Sequence, residues 1–257
     1  MITGTGITLT LGGKTILQDV HMTLDAGEIL AVCGPNGAGK SSLLSVLAGE
    51  HASCASQVAY DGALLNTLSP AEQATRRVVL EQSPTLSAEF CVSELVELGA
   101  PLELALSDLV RIKAMLLDAF GLAHCEQEAV SALSGGQRHR AHLARVLMQL
   151  KANTTLGHRC ALFLDEPTAS LDIAHQISVL KHAKQLADSG IAVLIVLHDL
   201  NLAAAFADRV LMLKDGRAHS DGAPQDVLTN TALSDVYETP IFVQPSASGQ
   251  LVIQPAL

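Results

Sequence analysis

The chain has 257 residues, 49% of them hydrophobic and 16% charged, a composition that excludes disorder or a fibre and a length that buries about 75% of the unfolded surface. With 16 Lys+Arg against 26 Asp+Glu the net charge is -10, so a grip on nucleic-acid phosphates would work against repulsion and no nucleic-acid partner is expected. The longest strictly apolar run, Ile191 to Leu197, is far shorter than the about 20 residues of a membrane helix, and the first basic residue is Lys14; neither a span nor a secretory leader is expected.

From the N-terminus, Ile7 to Leu11 alternates Thr with apolar residues, and Gly12-Gly13 turns the chain toward Ile16 to Leu24, which predicts an antiparallel β layer. Glu28 to Cys33 is a short apolar run ending at Gly34, followed by Lys40 to Ala48 with Leu43, Leu44 and Leu47 at helical spacing: strand, glycine loop, helix. Val78 to Leu80, Ala161 to Leu164 and Ile191 to Leu197 are further apolar segments of strand length, as in parallel strands covered on both faces. Between Ser93 and Arg145 the pattern turns to Leu, Ala, Glu and Met at helical spacing, which marks a second, helical lobe. The expectation is an α/β fold in a single domain, residues 1–257, with its core in 1–84 and 150–257 and an inserted α-helical subdomain in 85–149. Cys33, Cys54, Cys91, Cys125 and Cys160 are odd in number and form no C-x-x-C pair, so they read as reduced thiols without a metal.

Gly34-Pro35-Asn36-Gly37-Ala38-Gly39-Lys40-Ser41 fits G-x-x-x-x-G-K-[ST] between a strand and a helix. Glycines let backbone amides close on phosphate oxygens, the helix start adds partial positive charge, Lys40 reaches the β and γ phosphates and Ser41 ligates Mg²⁺, with Ser42 next in line. The bland alternative is a glycine-rich turn before an amphipathic helix. Ala161 to Glu166 is an apolar strand delivering two carboxylates at its C-terminal end, where open α/β sheets bind ligands. Asp165 is the candidate magnesium holder and Glu166 the candidate base for the attacking water; otherwise the pair is a turn or cap before Pro167. Leu133-Ser134-Gly135-Gly136-Gln137 opens a helix bearing Arg138, Arg140 and Arg145. By itself this is a serine-capped helix start, and it is also a second possible anion site.

With LSGGQ between the phosphate loop and the acidic strand, the chain resembles the ATP-binding cassette (ABC) ATPases, whose fold is a P-loop NTPase core with a mixed or parallel sheet, an antiparallel β layer and a helical subdomain. Further family motifs stand in order at Gln82, at Ser170-Leu171-Asp172 and at His198, so the resemblance covers essentially the entire chain. It implies that ATP is sandwiched in a head-to-tail homodimer, with Ser134, Gly135, Gly136 and Gln137 completing the partner's site. It implies that Gln82 senses magnesium and water, that His198 contacts the γ-phosphate and supports Glu166, and that Asp172 links the two sites. One departure stands out: the family's adenine-stacking aromatic has no counterpart in Thr8-Leu9-Thr10-Leu11, which predicts weaker base selectivity.

Among cassette proteins, the resemblance implies the motor subunit of an importer at the cytoplasmic face of the plasma membrane, working with two permease subunits and an extracytoplasmic binding protein. A cassette acting on DNA, the ribosome or iron–sulfur assembly is the alternative from another class. The stretches Thr168 to Gln176 and Gly222 to Leu228, with Val236-Tyr237, resemble importers of iron chelates, haem and cobalamin. An extra segment, Lys151 to Arg159, is similar to that of haem importer ATPases and favours haem over siderophore or cobalamin; its composition otherwise reads as a surface loop. His51, His139, His142, His158 and His175 are read as solvated or capping, not as haem ligands. The stretch from Ala218 to Leu257 is too short for a usual regulatory domain.

Overall fold

A computed structural model describes residues 1–82, 88–169, 171–247 and 249–256. The chain opens with β1 (Ile2–Leu11) and β2 (Lys14–Leu24), paired antiparallel around Gly12-Gly13. Next come β3 (Ile29–Cys33), α1 (Lys40–Ala48), β4 (Val58–Tyr60), β5 (Ala63–Leu64), α2 (Pro70–Arg76) and β6 (Arg77–Leu80). There follow α3 (Val92–Glu97), α4 (Leu106–Ala119) and α5 (Gly135–Thr155). The chain then returns through β7 (Ala161–Asp165), α6 (Ile173–Asp188), β8 (Ala192–Val196), α7 (Leu200–Phe206), β9 (Arg209–Lys214) and β10 (Arg217–Gly222). It closes with α8 (Pro224–Val227), α9 (Asn230–Tyr237), β11 (Ile241–Pro245) and β12 (Leu251–Pro255).

The central sheet has the order β10-β9-β3-β8-β7-β6, parallel except for β10 at one edge. Alternation along its strands divides the core in two. Ile29, Ala31 and Cys33 of β3 and Val193 and Ile195 of β8 face the helices α3 to α7. Leu30, Val32, Leu194, Val196 and Phe163 face α1 and the antiparallel layer β2-β1-β4-β5. Both faces are buried, so these strands read as unbroken apolar runs.

Within Lys151 to Arg159, only residues 156–159 form the exposed loop that the composition suggests. Helix α5 continues to Thr155, and Asn153, 2% exposed, donates to Ala74 O at 2.9 Å and to Cys160 Sγ at 3.6 Å. A buried amide with two partners outweighs the modest helix propensity of Asn and Thr. Residues after Ala218 form no separate body: α9 contributes Leu233 and Val236 to the main core, and the β11–β12 hairpin packs against the same core. Among the described residues no helix is long and apolar enough to cross a membrane.

Candidate nucleotide site

The parallel strands present their C-terminal ends along one edge of the sheet. There β3 runs into the loop Gly34 to Gly39, β7 ends at Asp165-Glu166, β6 leads to Gln82 and β8 to His198. Gly34 holds φ +145°, and a Cβ on it would lie 2.2 Å from Leu213 O; only glycine lets the loop leave β3 this close to β9. Helix α1 starts at Gly39 in the left-handed region with no side-chain cap, which leaves its first amides and the positive end of its dipole open to an anion.

Lys40, 5% exposed, donates to Gly34 O at 2.8 Å and Pro35 O at 3.0 Å. Burial pushes its ammonium pKa down, against the pull of Glu166, Cys33 and Asp165. Ser41 Oγ donates to Asp165 Oδ1 at 3.1 Å. Asp165 is 6% exposed, and burial raises its carboxyl above the ordinary value; Glu166 adds to the rise, while Ser41, Lys40 and His198 oppose it. Gln82 Nε2 donates to Glu166 Oε2 at 2.8 Å, and His198 Nε2 bonds Glu166 Oε1. Glu166 takes a left-handed φ of +49°, an uncommon conformation for this residue type, held here by two side-chain partners. Its carboxylate is thereby gripped from both sides where β6, β7 and β8 end.

A cavity of about 570 Å³ joins these groups, lined by Lys14, Ile16, Asn36, Gly37, Gly39, Lys40, Ser41, Ser42, Gln82, Glu166 and His198. Ala38 is buried beneath it and Pro35 half-buried. The sequence reading missed Lys14 and Ile16 as walls. Their signal is tertiary: Ile16 O lies 3.2 Å from where a Gly39 Cβ would stand, so β2 presses on the loop. Leu11, at the hairpin end, is 45% exposed, and no aromatic side chain lines the cavity.

The residues Ser134 to Gln137 do not line this cavity. Ser134 caps α5: its Oγ accepts from Gln137 N at 3.3 Å, and Gln137 Oε1 accepts from Ser134 N at 3.0 Å. A Cβ on Gly135 would meet nothing within 4 Å. Asp172 likewise stands apart, capping α6 by accepting from His175 N at 2.9 Å and His175 Nδ1 at 2.8 Å. His139 Nε2 bonds Pro167 O at 2.7 Å and so ties α5 to the turn after Glu166. Ser170 and residues 83–87, which follow Gln82, lie outside the described residues.

Residues 17–169 match the ABC transporter family. The chain belongs to that family. Two relatives named hemin import ATP-binding protein HmuV are similar along nearly their full lengths. That of Rhodopseudomonas palustris is 41% identical, over 96% of this chain and 91% of its own. That of Pseudomonas fluorescens is 45% identical, over 94% and 95%. The cassette also shares its fold with solved proteins. A metal-chelate type ABC transporter in an inward-facing conformation superposes with TM-score 0.79 at 24% identity, over 100% of this chain and 97% of that one. A dimeric ATP-binding cassette bound to ADP and Pi gives 0.73 at 23%, over 87% and 99%. As a cassette ATPase, this chain takes ATP as its substrate.

Proposed function

We propose that this cassette is the motor subunit of a haem importer, hydrolysing ATP as two copies close head to tail and driving two separate permease subunits fed by a binding protein. The observation that carries the cargo is the name shared by relatives 41% and 45% identical over more than 90% of this chain. The importer role places the cassette at the cytoplasmic face of the membrane.

In this reading the amides at the start of α1 and the Lys40 ammonium take the β and γ phosphates; Lys40 leaves the Gly34 and Pro35 carbonyls to do so. Ser41 Oγ, Asp165 and Gln82 form an all-oxygen donor set suited to Mg²⁺, which keeps most of its shell from water and phosphate. The ion would neutralise charge developing on the transferred phosphoryl group. Asp165 and Ser41 already meet at 3.1 Å, an arrangement that fits one shared ion. Glu166 accepts the proton of the attacking water, while Gln82 and His198 hold its carboxylate on line.

Two glycines at the start of α5 support the partner-site reading. Glycine weakens a helix by roughly 1 kcal/mol relative to Ala, and neither Gly135 nor Gly136 is required by contacts within this chain, the nearest being Arg140 Nη1 at 3.9 Å from Gly136. The space they leave suits phosphate bound to a second copy. Asp172, exposed at the start of α6, is assigned to the link between the two sites.

ATP hydrolysis by the protein reconstituted with its cognate permease and binding protein tests the cargo. Stimulation by haem, and not by a ferric siderophore or cobalamin, is expected. Stimulation by another chelate keeps the motor and discards haem; no coupling to any of the three overturns the importer reading.

A further inference from the structure

His198 stands on the connection between β8 and α7 with its side chain 46% exposed. A cavity of about 220 Å³, lined by Thr168, Gln176, Asp199 and Leu202, opens beside it and Glu166. The ring therefore has room to swing away, and its position depends on what fixes the backbone that carries it.

Leu197 N, just before His198, donates to Val32 O at 3.2 Å, and on the α7 side two side-chain contacts hold the backbone. Asp199 Oδ1 accepts from Asn201 N at 2.8 Å and Leu202 N at 3.2 Å, capping α7. The Asn201 side chain then reaches strand β12, fifty-two positions later: Nδ2 donates to Ile253 O at 3.2 Å, and Oδ1 accepts from Ile253 N at 2.8 Å. One amide thus satisfies both backbone groups of a strand residue, as a neighbouring strand would.

The other strand of the hairpin is tied to α9. Ile241 N donates to Ser234 Oγ at 2.9 Å and Val243 N to Asn230 Oδ1 at 2.7 Å. Helix α9 ends at Tyr237, whose hydroxyl is buried beside the Gly34 backbone and Cys33 without completing a hydrogen bond. The hairpin accordingly spans from the helix behind the phosphate loop to the helix that follows His198.

We propose that the C-terminal hairpin is a strap that holds His198 in register with Glu166, and that Asn201 is the positioning residue through which it acts. The proposal rests on the catalytic reading of His198 given above. Removing the Asn201 amide leaves the phosphate loop and the start of α1 intact, so nucleotide binding is retained while the ring's mount loses its tie to β12. A displacement of about 1 Å is enough to cost turnover heavily.

The test is a double-mutant cycle on steady-state ATP hydrolysis by the full chain assembled with its permease. Asn201→Ala is expected to lower kcat about tenfold, with KM for ATP within twofold. Its melting temperature is expected to fall by about 4–8 °C, the scale of two lost hydrogen bonds in a domain of this size. In a His198→Ala background the same substitution is expected to change kcat by less than twofold. An Asn201→Ala enzyme with wild-type kcat, or an equal loss in both backgrounds, overturns the strap. Asn201→Asp, which keeps the bond from Ile253 N, replaces the alanine variant in the same cycle if that one does not fold. Failure of the underlying reading is separately visible, because His198→Ala would then itself turn over at the wild-type rate.

Discussion

His142 on α5 is 4% exposed, its Nδ1 has no hydrogen-bond partner, and Arg145, His139 and Arg138 lie nearby. Burial, followed by the charges of Arg145 and Arg138 and by His139, pushes its pKa from 6.5 down to about 4. The folded protein therefore keeps His142 neutral through a range in which the unfolded chain takes up a proton. Because the folded value is the lower one, the stability this neutral ring contributes is fully present above pH 6.5 and is lost as pH falls from 6.5 toward 4. The loss amounts to roughly 3 kcal/mol at 1.36 kcal/mol per pH unit. Urea unfolding at pH 7.5, 5.5 and 4.5 measures it. His142→Leu should flatten the decline by about that amount; parallel curves for the two proteins would mean that the folded site accepts the proton freely.

The turn between β9 and β10 joins three elements. Gly216 O accepts from Gln18 N of β2 at 2.8 Å, and Gly216 N donates to Ala38 O of the phosphate loop at 3.1 Å. Gly216 holds φ +75°, and a Cβ there would lie 2.2 Å from Ile16 O and 3.3 Å from Leu17 Cα. Both obstacles are backbone, so Gly216→Ala forces β2 and the turn apart and should lower unfolding free energy by at least about 3 kcal/mol. Gly190→Ala is the control: φ is +96° but nothing stands within 4 Å, so backbone strain of about 1–2 kcal/mol is the whole expected cost. Equal denaturant midpoints for the two variants would show that the turn moves off β2 without loss. Elements of this kind divide by how local their causes are. Strands β3, β7 and β8 are legible in sequence because burial on both faces makes each a continuous apolar run, and the phosphate loop because its chemistry needs fixed residue types within one short stretch. The β11–β12 hairpin is not legible, since exposed Phe242 and Val252 blur the alternation that marks a half-buried strand. Nor are Asn201, Ile16 or the helical reach of α5 to Thr155, each decided by a partner distant in the chain.

Two helix starts suited to anions lie on one molecule, and only one faces the cavity. The start of α1 opens into it without a cap, whereas the start of α5 carries its own Ser134–Gln137 cap on an exposed surface. A single copy therefore holds the phosphate loop without the second donor surface, and the proposed twofold head-to-tail pair would bring the two together twice with one kind of contact. In the proposed cycle such closure requires bound ATP and ends when ATP is split, so a copy that binds but does not hydrolyse should accumulate as the dimer. Glu166→Gln keeps Lys40, Ser41 and Asp165 and removes the proposed proton acceptor. With saturating Mg-ATP it should sediment as a dimer, and with ADP as a monomer. Each wild-type chain carries a net charge of -10, which opposes pairing through space; moderate salt should therefore strengthen the dimer by screening. Placing Gly135→Arg in the same chain fills the space that nothing within one copy occupies. It should return the ATP-bound protein to monomer while leaving ATP affinity of the isolated chain within about threefold, because Gly135 lies outside the cavity. A dimer unaffected by Gly135→Arg would place the pairing surface elsewhere than on the start of α5.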